Sequence, residues 1–185
     1  WVNAAILIPI VSFLVWRKNR LTLSRIQLVQ AAVFGAAFGF VEASVVVYLR
    51  AATGLLPGYE GTLADVWRLA SELYRPEYVV ASLPQSLRMV ELFREAATIV
   101  LLVCVAVLAA KGMRERLAMF LWMFVVWDIF YYAGLWAMVR WPASLTTPDV
   151  LFLIPVPWIS QVWFPVLVSI LTMGAVAISR KDSKT

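Results

Sequence analysis

Long apolar runs alternate with short clusters of basic residues along this chain, and that alternation limits the possible folds more than any single motif. The first run, Trp1 to Trp16, stops at Arg17-Lys18-Asn19-Arg20. The second extends from about Leu28 to Leu49 and stops at Arg50. The third begins at Pro84 and ends at Ala110, before Lys111-Gly112. Ser82 and Gln85 have the spacing of a capping box for its start, with Pro84 tolerated in the first turn. The fourth covers Leu117 to Val139 and gives way to Arg140-Trp141-Pro142. A hydrocarbon core of about 30 Å needs about 20 apolar helical residues to cross it, and runs two to four meet that length. The first run makes a helix of only roughly 24 Å. The chain opens on Trp rather than Met, so further residues are expected ahead of it. In the fifth run Pro155 and Pro157 break any helix. The stretch Leu151–Trp158 is therefore expected to form a short re-entrant or interfacial segment, followed by a helix from about Ser160 to Ser179.

The composition agrees with spans rather than a soluble core. Of 185 residues, 63% are hydrophobic and 15% charged, whereas soluble domains carry about 25% charged residues. The mean hydropathy is +0.84. A soluble globular enzyme, a disordered tail and a disulfide-rich module are excluded. The expected fold is all-α: one polytopic integral membrane domain over residues 1–185, with five spans at about 1–16, 28–49, 84–110, 117–139 and 160–179.

Basic residues orient these spans. Arg17, Lys18, Arg20, Arg25, Lys111, Arg114, Arg116, Arg180, Lys181 and Lys184 fall on one side; Arg50, Arg68, Arg75, Arg88 and Arg140 fall on the other. Cytoplasmic loops are enriched in Lys and Arg, so the first set is expected inside a bacterial-type inner membrane. The N-terminus is then outside and the C-terminus cytoplasmic. The long connection 51–83 is external. Within it Leu63, Val66, Trp67, Ala70, Leu73 and Tyr74 recur at helical spacing, which predicts an amphipathic interfacial helix over about 63–75. Most of the nine tryptophans sit at span ends as an aromatic belt. The net charge of +5 marks the cytoplasmic face, and no basic stripe with interleaved aromatics points to nucleic acid. The chain shows no internal repeat.

Histidine is absent and Cys104 is the only cysteine. This chain therefore has no His/Cys ligand set for haem, zinc or an iron–sulfur cluster, and no histidine base for a familiar catalytic triad. Cys104 lies among Val and Leu and is expected to be a small core residue. The aromatics of span four, among them Phe120, Trp122, Phe124, Trp127 and Phe130, are expected to pack against lipid.

The informative residues are charges inside the spans: Glu42, Glu91, Arg94, Glu95 and Asp128. Each costs about 2.5–3.5 kcal/mol at a helix centre unless it is paired or neutralised. At 1.5 Å per residue Glu42 lies roughly 12 Å from Arg50, and Asp128 roughly 12 Å from Trp136. Glu91 and Glu95 lie roughly 10 and 16 Å from Pro84. Four carboxylates and one guanidinium are thus expected in one layer of the outer leaflet. Tyr131 and Tyr132 follow Asp128 by three and four positions, and their hydroxyls could hydrogen-bond a carboxylate; Ser160 and Gln161 could add polar groups from the outer side. Gly35 and Gly39 stand at GxxxG spacing as a helix-packing face.

Three functions compete. The first is a non-catalytic membrane subunit, held by lipids and other membrane subunits, in which the acidic layer is a polar staple around Arg94. The second is cation or proton binding or translocation. Glu42, Glu91, Glu95 and Asp128, without nitrogen or sulfur donors, would suit a hard divalent cation. The third is a metal-dependent enzyme acting on a lipid-like substrate.

Overall fold

The computed structural model describes residues 2–18, 20–52, 85–154 and 158–181. The expected amphipathic helix at 63–75, Ser82 of the proposed capping box and both prolines of the 155–157 break lie outside the described residues. A 3₁₀ turn, Val2–Ile6, leads into α1 (Leu7–Lys18). Then come α2 (Arg25–Ala52), α3 (Gln85–Ala109) and α4 (Met113–Val139). A two-stranded hairpin, β1 (Pro148–Phe152) and β2 (Trp158–Gln161), precedes α5 (Trp163–Ser179). The protein is mostly helical, and among the described residues three helices are long and apolar enough to cross a membrane, within Arg25–Tyr48, Met89–Ala109 and Met113–Val139. Helix α5 is apolar but shorter.

The hairpin corrects the all-α expectation. Its strands are antiparallel, pairing Asp149 with Ser160 and Val150 with Ile159, with an irregularity between Val150 and Phe152. The Val- and Ile-containing run that proline keeps from becoming a helix satisfies its backbone by strand pairing instead. Ser160 and Gln161 are therefore strand residues, and α5 begins at Trp163. Val162 N donates to Thr147 O at 3.0 Å and Trp163 N to Leu145 O at 2.8 Å, which joins the hairpin base to the start of α5.

Helix α4 is the centre of the bundle: α2, α3 and α5 all pack on it, and α1 packs on α5. The α2–α4 seam follows from small residues. A Cβ on Gly35 would stand 2.8 Å from Met123 O, and one on Gly39 would stand 2.6 Å from Trp127 O. Ala43 continues the same stripe, 3.1 Å from where a Cβ on Gly134 would sit. Only residues without side-chain bulk let the backbones approach this closely. Helix α4 is buried on several faces, so its aromatics do not all meet lipid. Trp127 is buried, Phe120 and Phe124 pack on the core, and Trp122 Nε1 donates to Leu28 O at 2.9 Å; Phe130 is exposed. Cys104 is exposed on α3 and is not a core residue.

One end of the bundle is tied by polar contacts. Leu21 N donates to Ser179 O (2.9 Å), and Lys181 N donates to Leu21 O (2.8 Å). Ser24 and Gln27 form a reciprocal capping box that starts α2 three residues ahead of Leu28, with Gln27 N to Ser24 Oγ at 3.1 Å and Ser24 N to Gln27 Oε1 at 2.9 Å. Gln27 Nε2 also donates to Ala109 O at 3.0 Å, and Arg116 Nε to Ala110 O at 3.0 Å. These bonds satisfy carbonyls that the end of α3 leaves open. Thr22 Oγ1 donates to Glu115 at 3.1 Å. The α1–α2 connection, the α3–α4 connection and the end of α5 thus meet at one pole, together with most of the basic residues of the described chain.

Candidate functional site: a polar-headed cavity

A cavity of about 620 Å³ opens between α3 and the α1–α5 pair, with α4 along it and β1 at one end. Every expected intramembrane charge lines it: Glu42 from α2, Glu91, Arg94 and Glu95 from α3, and Asp128 from α4. Helical spacing explains the α3 contribution, because residues 91, 94 and 95 share one face. Arg94 forms ion pairs with both Glu42 and Glu91, and its Nε donates to Glu91 Oε2 at 2.9 Å. The guanidinium fork thereby joins α3 to α2, which places one cation between two carboxylates in a region where neither could stand alone.

Among the described residues neither of the other two carboxylates forms an ion pair with Arg94, although Glu95 lies within reach of its charge. Glu95 reaches toward the hairpin, where its Oε2 accepts from Leu153 N at 2.8 Å. Asp128 Oδ2 accepts from Ser169 Oγ of α5 at 2.8 Å. The layer expected around a single guanidinium is therefore distributed over the wall of a wide space. Among the described residues no group of three or more acidic side chains stands close enough together to hold a metal ion.

Tyr131 and Tyr132 also line the cavity, with ring centroids 5.3 Å apart. Tyr132 hydrogen-bonds a carboxylate, as its place on α4 suggested: its hydroxyl donates to Asp149 Oδ2 at 2.8 Å. Gln161 does not reach the site. It is exposed and accepts from Trp163 Nε1 at 2.7 Å, because strand pairing turns it away from the bundle.

Sequence reasoning missed Asp149, Ser169 and Thr172, all of which line the cavity. Asp149 is 3% exposed and sits beside a proline in a stretch that reads as a polar loop. Ser169 and Thr172 are three apart on one face of α5, a weak but available helical signal. Thr98 is one helical turn from Arg94 and donates to its carbonyl at 3.0 Å. The rest of the lining is apolar and aromatic. Phe124 lies 5.1 Å from Trp127 and 6.0 Å from Phe152 between ring centroids, which makes a wall joining α4 to β1. Two lining residues carry buried polar atoms without a hydrogen-bond partner among the described residues: Thr172 Oγ1 and Trp127 Nε1. Compared with protein-family models, with curated proteins and with solved structures, the chain gives no match.

Proposed function

We propose that this is a non-catalytic integral membrane protein that holds a small amphiphilic molecule in its internal cavity. The observation carrying the reading is the cavity itself: about 620 Å³ between the helices, mostly apolar and aromatic, with polar groups placed at separate points on its wall. Small-molecule sites have this composition and a volume of about 300–1,000 Å³. A bare ion needs convergent ligands, whereas an extended molecule needs a few orienting groups distributed over its length. The runner-up of ion or proton translocation is less well supported. Toward the basic pole, Ile99 to Ala110 on α3 and Leu117 to Val126 on α4 supply no charged relay.

The proposed setting is a bacterial-type plasma membrane, with the basic pole in the cytoplasm and the hairpin outside. Other membrane subunits are proposed as lateral neighbours. Helix α3 supports this: it packs chiefly on α4 and presents Val90, Phe93 and Leu108 outward.

Mass spectrometry of small molecules extracted from the purified full chain tests the binding reading. The expected result is one amphiphile near equimolar amount, absent from folded Ala96→Phe protein, whose new side chain projects from a lining position. Equal recovery of bulk lipid alone from both proteins would overturn it.

A further inference from the structure

We infer that the cavity takes a lipophilic organic cation, an amine or onium group carried on an apolar body; this rests on the amphiphile reading above. The first argument is charge. Among the described lining residues Glu42, Glu91, Glu95, Asp128 and Asp149 stand against one cation, Arg94. Arg94 is committed to Glu42 and Glu91. Asp128 accepts from a neutral donor, the Ser169 hydroxyl, whereas Glu95 accepts from backbone N–H groups at Leu153 and Ile154 and lies within reach of the Arg94 charge without an ion pair to it among the described residues. The Ser169 bond occupies one of the two Asp128 oxygens. The wall therefore holds more acid than base in a setting where uncompensated charge is expensive.

The second argument is the shape of the space. The acids are spread along helices α2, α3 and α4 and strand β1 rather than focused on a point, and no three of them among the described residues could hold a metal ion. A cation that satisfies them must bring its own bulk. The third is the wall. Phe124, Trp127, Phe152 and Phe164 line the same cavity as the acids, and aromatic faces attract a desolvated cation. Independent of these, Thr172 is fully buried and Trp127 is 7% exposed, and each keeps an unpartnered polar atom among the described residues on a residue of the cavity wall. Such atoms are uncommon in a filled interior and suit a site that a ligand completes.

Tetraphenylphosphonium and tetraphenylborate share size and shape and differ in the sign of their charge; triphenylmethanol supplies a neutral body. Calorimetry would titrate each into the full chain in phosphatidylcholine nanodiscs, with empty nanodiscs subtracted. The expected result is saturable phosphonium binding, with borate and triphenylmethanol at least tenfold weaker. Asp128→Asn lowers phosphonium affinity at least tenfold; Glu95→Gln serves if that variant does not fold. Ala96→Phe removes saturable binding of the phosphonium. Equal binding of all three probes, or preference for the borate, overturns the cation inference and leaves an amphiphile cavity standing. Phosphonium binding unchanged in both carboxylate variants also overturns it. Saturable binding of none of the three overturns the cavity reading itself.

Discussion

Arg94 is the residue on which the buried charges depend most directly. With Glu42 only 7% exposed, deleting the guanidinium leaves two carboxylates without their cation. Breaking a buried pair by removing one partner costs about 3–5 kcal/mol. Arg94→Met is therefore expected to lose about that much stability, read from chemical denaturation of the detergent-solubilised protein. The triple variant Arg94→Met, Glu42→Gln, Glu91→Gln should recover most of the loss, because no uncompensated charge remains. Wild-type stability in Arg94→Met would mean that the acids do not depend on it. The meeting of Glu42, Glu91 and Arg94 was legible in the sequence from helix rise and from the expense of charge in a span. The separate fates of Glu95 and Asp128 were not. They depend on Leu153 and Ser169, which reach the site through the hairpin and through the facing of α5, and neither follows from spacing along one helix.

At the scale of elements, the α2–α4 seam and the hairpin differ in how much they owe to local pattern. The seam is written in the Gly35–Gly39 spacing, and the backbone distances to Met123 and Trp127 carry it through. Gly39→Ala is expected to destabilise by about 1–3 kcal/mol, the usual cost of forcing bulk into a packed interface. Gly174→Ala is the control: its added Cβ meets nothing within 4 Å, so the gain in helix propensity of up to about 1 kcal/mol should appear unopposed. Thermal unfolding of both variants in detergent measures the contrast, and equal effects would exclude a close seam. The hairpin was legible only as an interruption. Two prolines forbid a helix, but strand pairing is a contact between distant residues, such as Asp149 with Ser160, and no local period announces it. One of its links to the bundle is the buried Tyr132–Asp149 hydrogen bond. Tyr132→Phe leaves Asp149 Oδ2 without that donor, at about 1–3 kcal/mol. The loss is expected as faster hydrogen exchange in β1, with α2 unaffected; uniform exchange across the protein would show that the bond does not anchor the strand.

For the whole molecule, the polar contacts and the charge pattern describe the same axis independently. Leu21 meets Ser179, Thr22 meets Glu115, and Gln27 meets Ala109, so three segments distant in sequence close one pole by hydrogen bonds that make no reference to a membrane. Arg17, Lys18, Arg25, Lys111, Arg116 and Lys181 lie in or beside those segments. The opposite pole carries the hairpin and Arg140, which ends α4 in a left-handed conformation with its guanidinium 4.1 Å above the Trp136 ring. Helices of alternating direction could have been arranged with either pole basic. Concentrating lysine and arginine at the hydrogen-bonded pole is what the insertion bias toward cytoplasmic positive charge would select. Single cysteines test this once the exposed Cys104 is replaced by alanine. Ser144, between α4 and β1, and Lys111, between α3 and α4, are both exposed. In intact cells a membrane-impermeant maleimide should label Ser144→Cys directly and Lys111→Cys only after permeabilisation. Labelling of both from the same side would contradict the antiparallel passage of α4 through the bilayer, and the reverse pattern would invert the orientation while leaving the bundle intact. Because Cys104→Ala changes an exposed position rather than a packed one, its own stability cost should stay within about 0.5 kcal/mol, and the labelling then reports the native arrangement.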